Sequence, residues 1–112
     1  MALPPLISAL LEPRRYPHPA DGVELIETHI SWVLLAGAFA YKIKKPVALG
    51  FLDFSTLEAR RHFCEEELRL NRRTAAGIYL GIVAVSGSVD APVPGGDGPP
   101  IEYALKMRRF EQ

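Results

Sequence analysis

Only one connection in this chain is long enough for a helical crossover, so its strands cannot all run parallel. That connection is a helix from about Thr56 to about Arg73. Ser55-Thr56-Leu57-Glu58 has the capping-box pattern at its start, Arg72 and Arg73 suit its negative C-terminal end, and Gly77 suits the stop. Before it lie three runs rich in strand formers, Val23 to Thr28, Ser31 to Ala36 and Phe39 to Lys45, the last ended by Pro46. After it come Ile78 to Ser86 and Ile101 to Met107. The expected fold is α+β: a five-stranded antiparallel sheet with one long packed helix, preceded by a short N-terminal helix over Pro5 to Glu12 with Leu6, Leu10 and Leu11 on one side. Pro13, Pro17 and Pro19 make Glu12 to Gly22 an extended connector, so residues 1–22 are read as helix plus linker and 23–112 as the folded unit. Pro46 to Phe54 is expected as an apolar loop, and Ser88 to Pro100, rich in Gly, Pro and Asp, as a mobile hairpin excursion.

Charge narrows the choice of partner. Thirteen basic residues balance thirteen acidic ones in 112, which leaves no global field toward nucleic acid or an anionic membrane. The five arginines of the helix alternate with Glu58 and Glu65 to Glu67, the pattern of a solvated, salt-bridged face. The longest apolar stretch, Ile30 to Tyr41, is too short to span a bilayer, and Met1 to Leu11 lacks the basic start of a signal peptide. The single cysteine, Cys64, permits no internal disulfide and falls on the apolar side of the helix. His18, His29 and His62 lack metal-ligand spacing, so no metal site is expected. A cytoplasmic protein is the default.

The chemistry concentrates on the third strand. Side chains alternate along it, so Ala40, Lys42 and Lys44 share one face and Phe39, Tyr41 and Ile43 the other. Two lysines on one face of a half-buried strand need an anion or a carboxylate, unless that face is a solvated edge guarded by charge. On the helix, residues placed at about 100° intervals put Leu57, Phe63, Cys64, Leu68, Leu70 and Ala75 on an apolar face, with Glu67 inside it. A carboxylate there is costly unless paired. Lys42 or Lys44 is one partner; the helix neighbour Arg60 is the other. The Thr28-His29-Ile30-Ser31 connection has no glycine, yet the Thr28 and Ser31 hydroxyls and backbone N–H groups are available to an anion if it is more than an ordinary hairpin turn.

Three runs carry a resemblance. Tyr41-Lys42-Ile43-Lys44-Lys45-Pro46-Val47, Gly50 to Leu57 and Phe63 to Arg73 are similar to the start of a group of bacterial aminoglycoside phosphotransferase-like proteins, whose longer members carry a P-loop ATP-binding domain afterwards. The resemblance covers nearly all of the chain from Val23. It implies the N-terminal lobe of a protein-kinase-like fold, with the chain ending at about the hinge. Phe39-Ala40-Tyr41-Lys42 matches the V-A-I-K strand motif, which makes Lys42 the phosphate lysine, with Lys44 as the alternative, and Glu67 the anchoring glutamate, with Glu66 as the alternative. Ala40 would pack on adenine, and the backbone around Met107, Arg108 and Arg109, on the run Ile101 to Phe110, would read the base.

The same resemblance implies ATP as ligand and a C-terminal lobe in the same longer chain, with Mg²⁺ held only by that lobe. No H-x-D or D-F-G stretch occurs in this chain, so it is expected to be inactive alone, because positioning and metal-borne charge supply nearly all phosphoryl-transfer catalysis. Two departures stand out: the phosphate loop lacks glycines, and Ala75-Ala76-Gly77 replaces a proline-containing turn. A competing expectation is a non-enzymatic module that self-associates or docks a protein through the face a second lobe would cover, the apolar loop Leu49 to Phe54 included.

Overall fold

The structure, a computed structural model, describes residues 3–50, 52–75 and 77–109. Phe51 of the apolar loop, Ala76 of the helix-end turn and Phe110 at the expected hinge lie outside the described residues. The chain is α+β as expected, but its main sheet has six antiparallel strands, not five. The elements are α1 (Pro5–Ala9), a 3₁₀ turn (Pro13–Arg15), β1 (Val23–Glu27), β2 (Ser31–Ala36), β3 (Phe39–Lys44), β4 (Ala48–Leu49), β5 (Leu52–Asp53), α2 (Leu57–Ala75), β6 (Tyr79–Gly87), β7 (Pro92–Pro94) and β8 (Glu102–Arg108). The sheet order is β1-β2-β3-β8-β6-β7, while β4 and β5 form a separate small hairpin within the apolar loop.

The extra strand comes from the Gly/Pro-rich segment expected to be a mobile excursion. Pro92–Pro94 instead folds back on the end of β6, with Val85 opposite Pro94 and Gly87 opposite Pro92. Proline cannot donate to a ladder, so such a strand belongs at a sheet edge, where this one sits. Gly87 and Gly95 take positive φ on either side of it, which lets so short a strand reverse direction. Turn residues dominate the segment's composition and conceal three paired residues among them.

The two faces of the sheet are covered differently. One carries Trp32, Leu34 and Ala36 of β2, Tyr41 and Ile43 of β3, and Ala104 of β8, packed against Ile7, Leu10 and Tyr16 of the N-terminal segment. Residues 3–22 therefore lie on the sheet as a covering layer. The Tyr16 hydroxyl donates to the Leu10 carbonyl (2.7 Å), and His18 Nε2 lies 2.7 Å from the Tyr41 hydroxyl. The first helix stops at Ala9, short of Glu12, and its buried residues are Ile7 and Ala9, with Leu10 at its end. Leu6 and Leu11 only flank that core.

The second face is covered by α2, which packs on β8 and β6. Its cap is shifted by one residue from the expected box: the Thr56 hydroxyl accepts from the Ala59 amide (3.1 Å), while the Ser55 amide donates to Asp53 Oδ1. The buried stripe of α2 is also narrower than expected. Arg60 and Cys64 are its buried residues, and Leu70 is turned to solvent at 51% exposure. Among the described residues no helix is long and apolar enough to cross a membrane.

Candidate functional site

Because α2 covers β8 and β6, the inner face of β1 and β2 is left open. Ile26 of β1, Val33 and Leu35 of β2 and Ala40 of β3 form the apolar floor of a cleft of about 1070 Å³. That volume is at the upper end of small-molecule sites, about 300–1,000 Å³. The Thr28–Ser31 turn closes one end, Lys42 and Glu67 stand at the helix side, and Tyr79 with Met107, Arg108 and Arg109 lines the rest. Strand pairing explains the assembly: Ala40 lies opposite Leu35 on one side and Met107 on the other, and Lys42 lies opposite Val33. Of the nine residues singled out from sequence, the cleft collects eight; Lys44 lies behind its wall.

The charged centre is a triad. Glu67 Oε2 accepts from Lys42 Nζ at 2.9 Å, and Glu67 Oε1 accepts from Lys44 Nζ at 2.8 Å. Glu67 thus bonds both candidate lysines at once, and neither the alternative glutamate, Glu66, nor the alternative partner, Arg60, takes part. Glu66 points outward to Arg69 (2.7 Å), and Arg60 is committed elsewhere. Lys42 keeps 26% of its side chain exposed toward the cleft, whereas Lys44 keeps 8%. Burial pushes the Glu67 carboxyl up, but the hydrogen bonds from Lys44 and Lys42 outweigh it and hold the group below its ordinary value of 4.5.

A pH dependence follows. A carboxyl depressed in the folded state contributes stability that is present above 4.5 and is lost as pH falls through the folded value. Urea unfolding across an acid series should show wild type well above Glu67→Gln at neutral pH, with the gap closing below about pH 4.5. A gap independent of pH would mean that Glu67 contributes by packing alone.

The turn and the C-terminal strand hold fewer free donors than sequence suggested. The Thr28 and Ser31 hydroxyls lie 2.9 Å apart, the Ser31 amide donates to Thr28 Oγ1 (3.0 Å), and the Thr28 amide to the Ser31 carbonyl (2.9 Å). Ser31 is buried, so these hydroxyls close the hairpin in the manner of a Ser/Thr turn. The Arg108 and Arg109 amides are likewise taken, by the Ile78 carbonyl (2.8 Å) and the Ala38 carbonyl (2.9 Å). The Arg108 side chain donates to the Gly77 carbonyl (2.9 Å), and Arg109 pairs with Glu24 across the mouth (3.4 Å).

One polar pair was not anticipated. Arg60, expected among the solvated arginines or beside Glu67, is buried: its Nε donates to Glu102 Oε1 (3.0 Å) and its Nη1 to the Phe54 carbonyl (2.9 Å). The signal was present, since Arg60 precedes the buried Cys64 by one helical turn. Cys64 itself is inert, its thiol pushed up by burial to about 11. No group of three His, Cys, Asp or Glu side chains among the described residues is placed to hold a metal ion.

Uncharacterized proteins of Mycobacterium bovis and Mycobacterium tuberculosis are 42% identical to this chain over 88 residues, which is 79% of the chain and 16% of each relative. The chain thus spans only a small part, 16%, of the length of the curated relatives it matches. No family model matches it, and no solved structure matches it.

Proposed function

We propose that this chain is the ATP-binding small lobe of an aminoglycoside phosphotransferase-like kinase, acting within a longer protein that transfers a phosphoryl group from ATP to a hydroxyl acceptor. The observation that carries the reading is the cleft with Lys42 at its edge, held from the following helix by Glu67 at 2.9 Å. A strand lysine paired with a helix glutamate is how kinase-type sites place a cation on ATP phosphates. Here the lysine is on the third strand and the glutamate on the helix after it.

The rest of the cleft supports the same ligand. Its floor is apolar and broad enough for a flat ring system, with Ala40 and Met107 adjacent across paired strands. Since the Arg108 and Arg109 amides are engaged, recognition of the base falls to apolar contact and to groups supplied by the longer protein. Metal binding and the catalytic base belong to that longer protein as well, because phosphoryl transfer needs metal-borne charge stabilisation.

The test is nucleotide binding by the full-length form of this protein carrying Lys42→Ala, measured by titration calorimetry. Loss of a charge-assisted contact should weaken ATP by about tenfold or more while the melting temperature changes little. Unchanged affinity would remove the assignment.

A further inference from the structure

Strand register sorts the cleft into rows. Glu24 lies opposite Leu35, Leu35 opposite Ala40 and Ala40 opposite Met107, so these four residues cross the sheet in one line. The next row on the same face carries Ile26, Val33 and Lys42, about 7 Å further along the strands. A nucleotide with its phosphates at Lys42 thus lays its ring on Leu35, Ala40 and Met107. That floor desolvates one face of the ring and leaves the other open.

An ion pair spans this end of the cleft. Arg109 Nη2 lies 3.4 Å from Glu24 Oε1. The strands that lead to them, β8 and β1, are separated by β3 and β2, about 14 Å apart in a flat sheet. The two side chains therefore meet over the strands that carry Ala40 and Leu35. With Arg109 34% and Glu24 71% exposed, the pair adds little to the stability of the fold. The Arg109 amide is held by the Ala38 carbonyl, so this position offers a ligand its side chain rather than its backbone. The Arg108 guanidinium is turned instead to the Gly77 carbonyl.

We propose that Arg109 is a specificity residue that stacks its guanidinium on the outer face of the nucleotide ring, and that Glu24 is the positioning residue that holds it there. This rests on the nucleotide reading and deepens it at the end of the cleft away from Lys42. A guanidinium is planar, weakly hydrated and stacks on aromatic faces. Pairing with a carboxylate uses its edge and leaves its faces free. Glu24 restricts the long Arg109 side chain before the ligand arrives, which lowers the ordering cost of binding.

The experiment is titration calorimetry of the full-length protein with ATP and with tripolyphosphate, which has the phosphates but no ring. Circular dichroism checks that each variant is folded. Arg109→Ala should weaken ATP by about tenfold and tripolyphosphate much less, so the ratio of the two affinities falls. Arg109→Lys keeps the charge without the plane and should show most of the same ATP loss. Glu24→Gln should weaken ATP by about threefold in the presence of Arg109, and add nothing to Arg109→Ala, because it acts through that side chain. Lys42→Ala should weaken both ligands.

Equal loss of ATP and tripolyphosphate in Arg109→Ala would make Arg109 a general charge at the mouth and overturn the inference. So would wild-type ATP affinity in Arg109→Lys, or a full Glu24→Gln effect without Arg109. ATP binding that needs Lys42 but ignores Arg109→Ala overturns the inference and leaves the nucleotide reading standing. A wild-type protein that binds neither ligand overturns both.

Discussion

Glu102→Ala should cost the fold about 3–5 kcal/mol, the usual penalty for removing one partner of a buried ion pair. The Arg60 and Glu102 side chains are only 10% and 8% exposed. Glu102 Oε1 accepts both Arg60 Nε (3.0 Å) and the Tyr103 amide (3.1 Å), and Arg60 also donates to the Phe54 carbonyl. Without Glu102, the guanidinium stays under α2 with one neutral acceptor, and the start of β8 loses a clamp to the helix. A domain of this size is stable by about 5–15 kcal/mol, so the variant sits near its unfolding limit. Urea unfolding at neutral pH checks this, and a loss below about 1 kcal/mol would place the pair among exposed, weak bridges. Replacing both partners by methionine should recover most of the loss, because no charge is then left buried alone.

Deleting residues 1–22 should abolish cooperative unfolding. That segment supplies Ile7 and Leu10, each 1% exposed, to the core that contains Trp32, Leu34, Tyr41 and Ile43. Its removal bares one whole face of the sheet, an apolar patch larger than soluble domains tolerate. A milder probe, Leu10→Ala, should cost about 2–5 kcal/mol by lost burial and the cavity left behind. The attachment also uses the tight β2–β3 turn: Gly37 takes a φ of +61° and lies against the Pro19 carbonyl, where a Cβ would not fit. Light scattering and a thermal melt of the truncated chain decide the matter. A monomer that melts cooperatively would show that the segment is dispensable.

Local signals located most of the elements. β2 has the expected bounds, β3 misses them by one residue, and α2 covers Leu57–Ala75 against an expected Thr56 to Arg73. These depend on period, β-branched content and Gly/Pro punctuation, which act over a few residues. The same alternation placed Ala40, Lys42 and Lys44 on one face, and helical spacing placed Glu67 within reach of them. Choices among partners were beyond such signals. Glu67 faced Lys42, Lys44 and Arg60 as rivals, and the outcome turned on where α2 crosses the sheet. Three residues of β7 were concealed in turn-forming composition, and their pairing with Val85–Gly87 is a contact between segments.

The sequence by itself determined the alternation of strand and helix, the antiparallel sheet and the presence of a lysine strand facing a helix carboxylate, because propensity and periodicity are short-range properties of the chain. Tertiary structure alone decided that both lysines hold Glu67, that Arg60 is buried against Glu102, that Thr28 and Ser31 consume each other's hydrogen bonds, and that the N-terminal segment roofs one face of the sheet while α2 leaves half of the other open. Those outcomes depend on distances between segments far apart in the chain, and on desolvation, which penalises every buried charge without a partner.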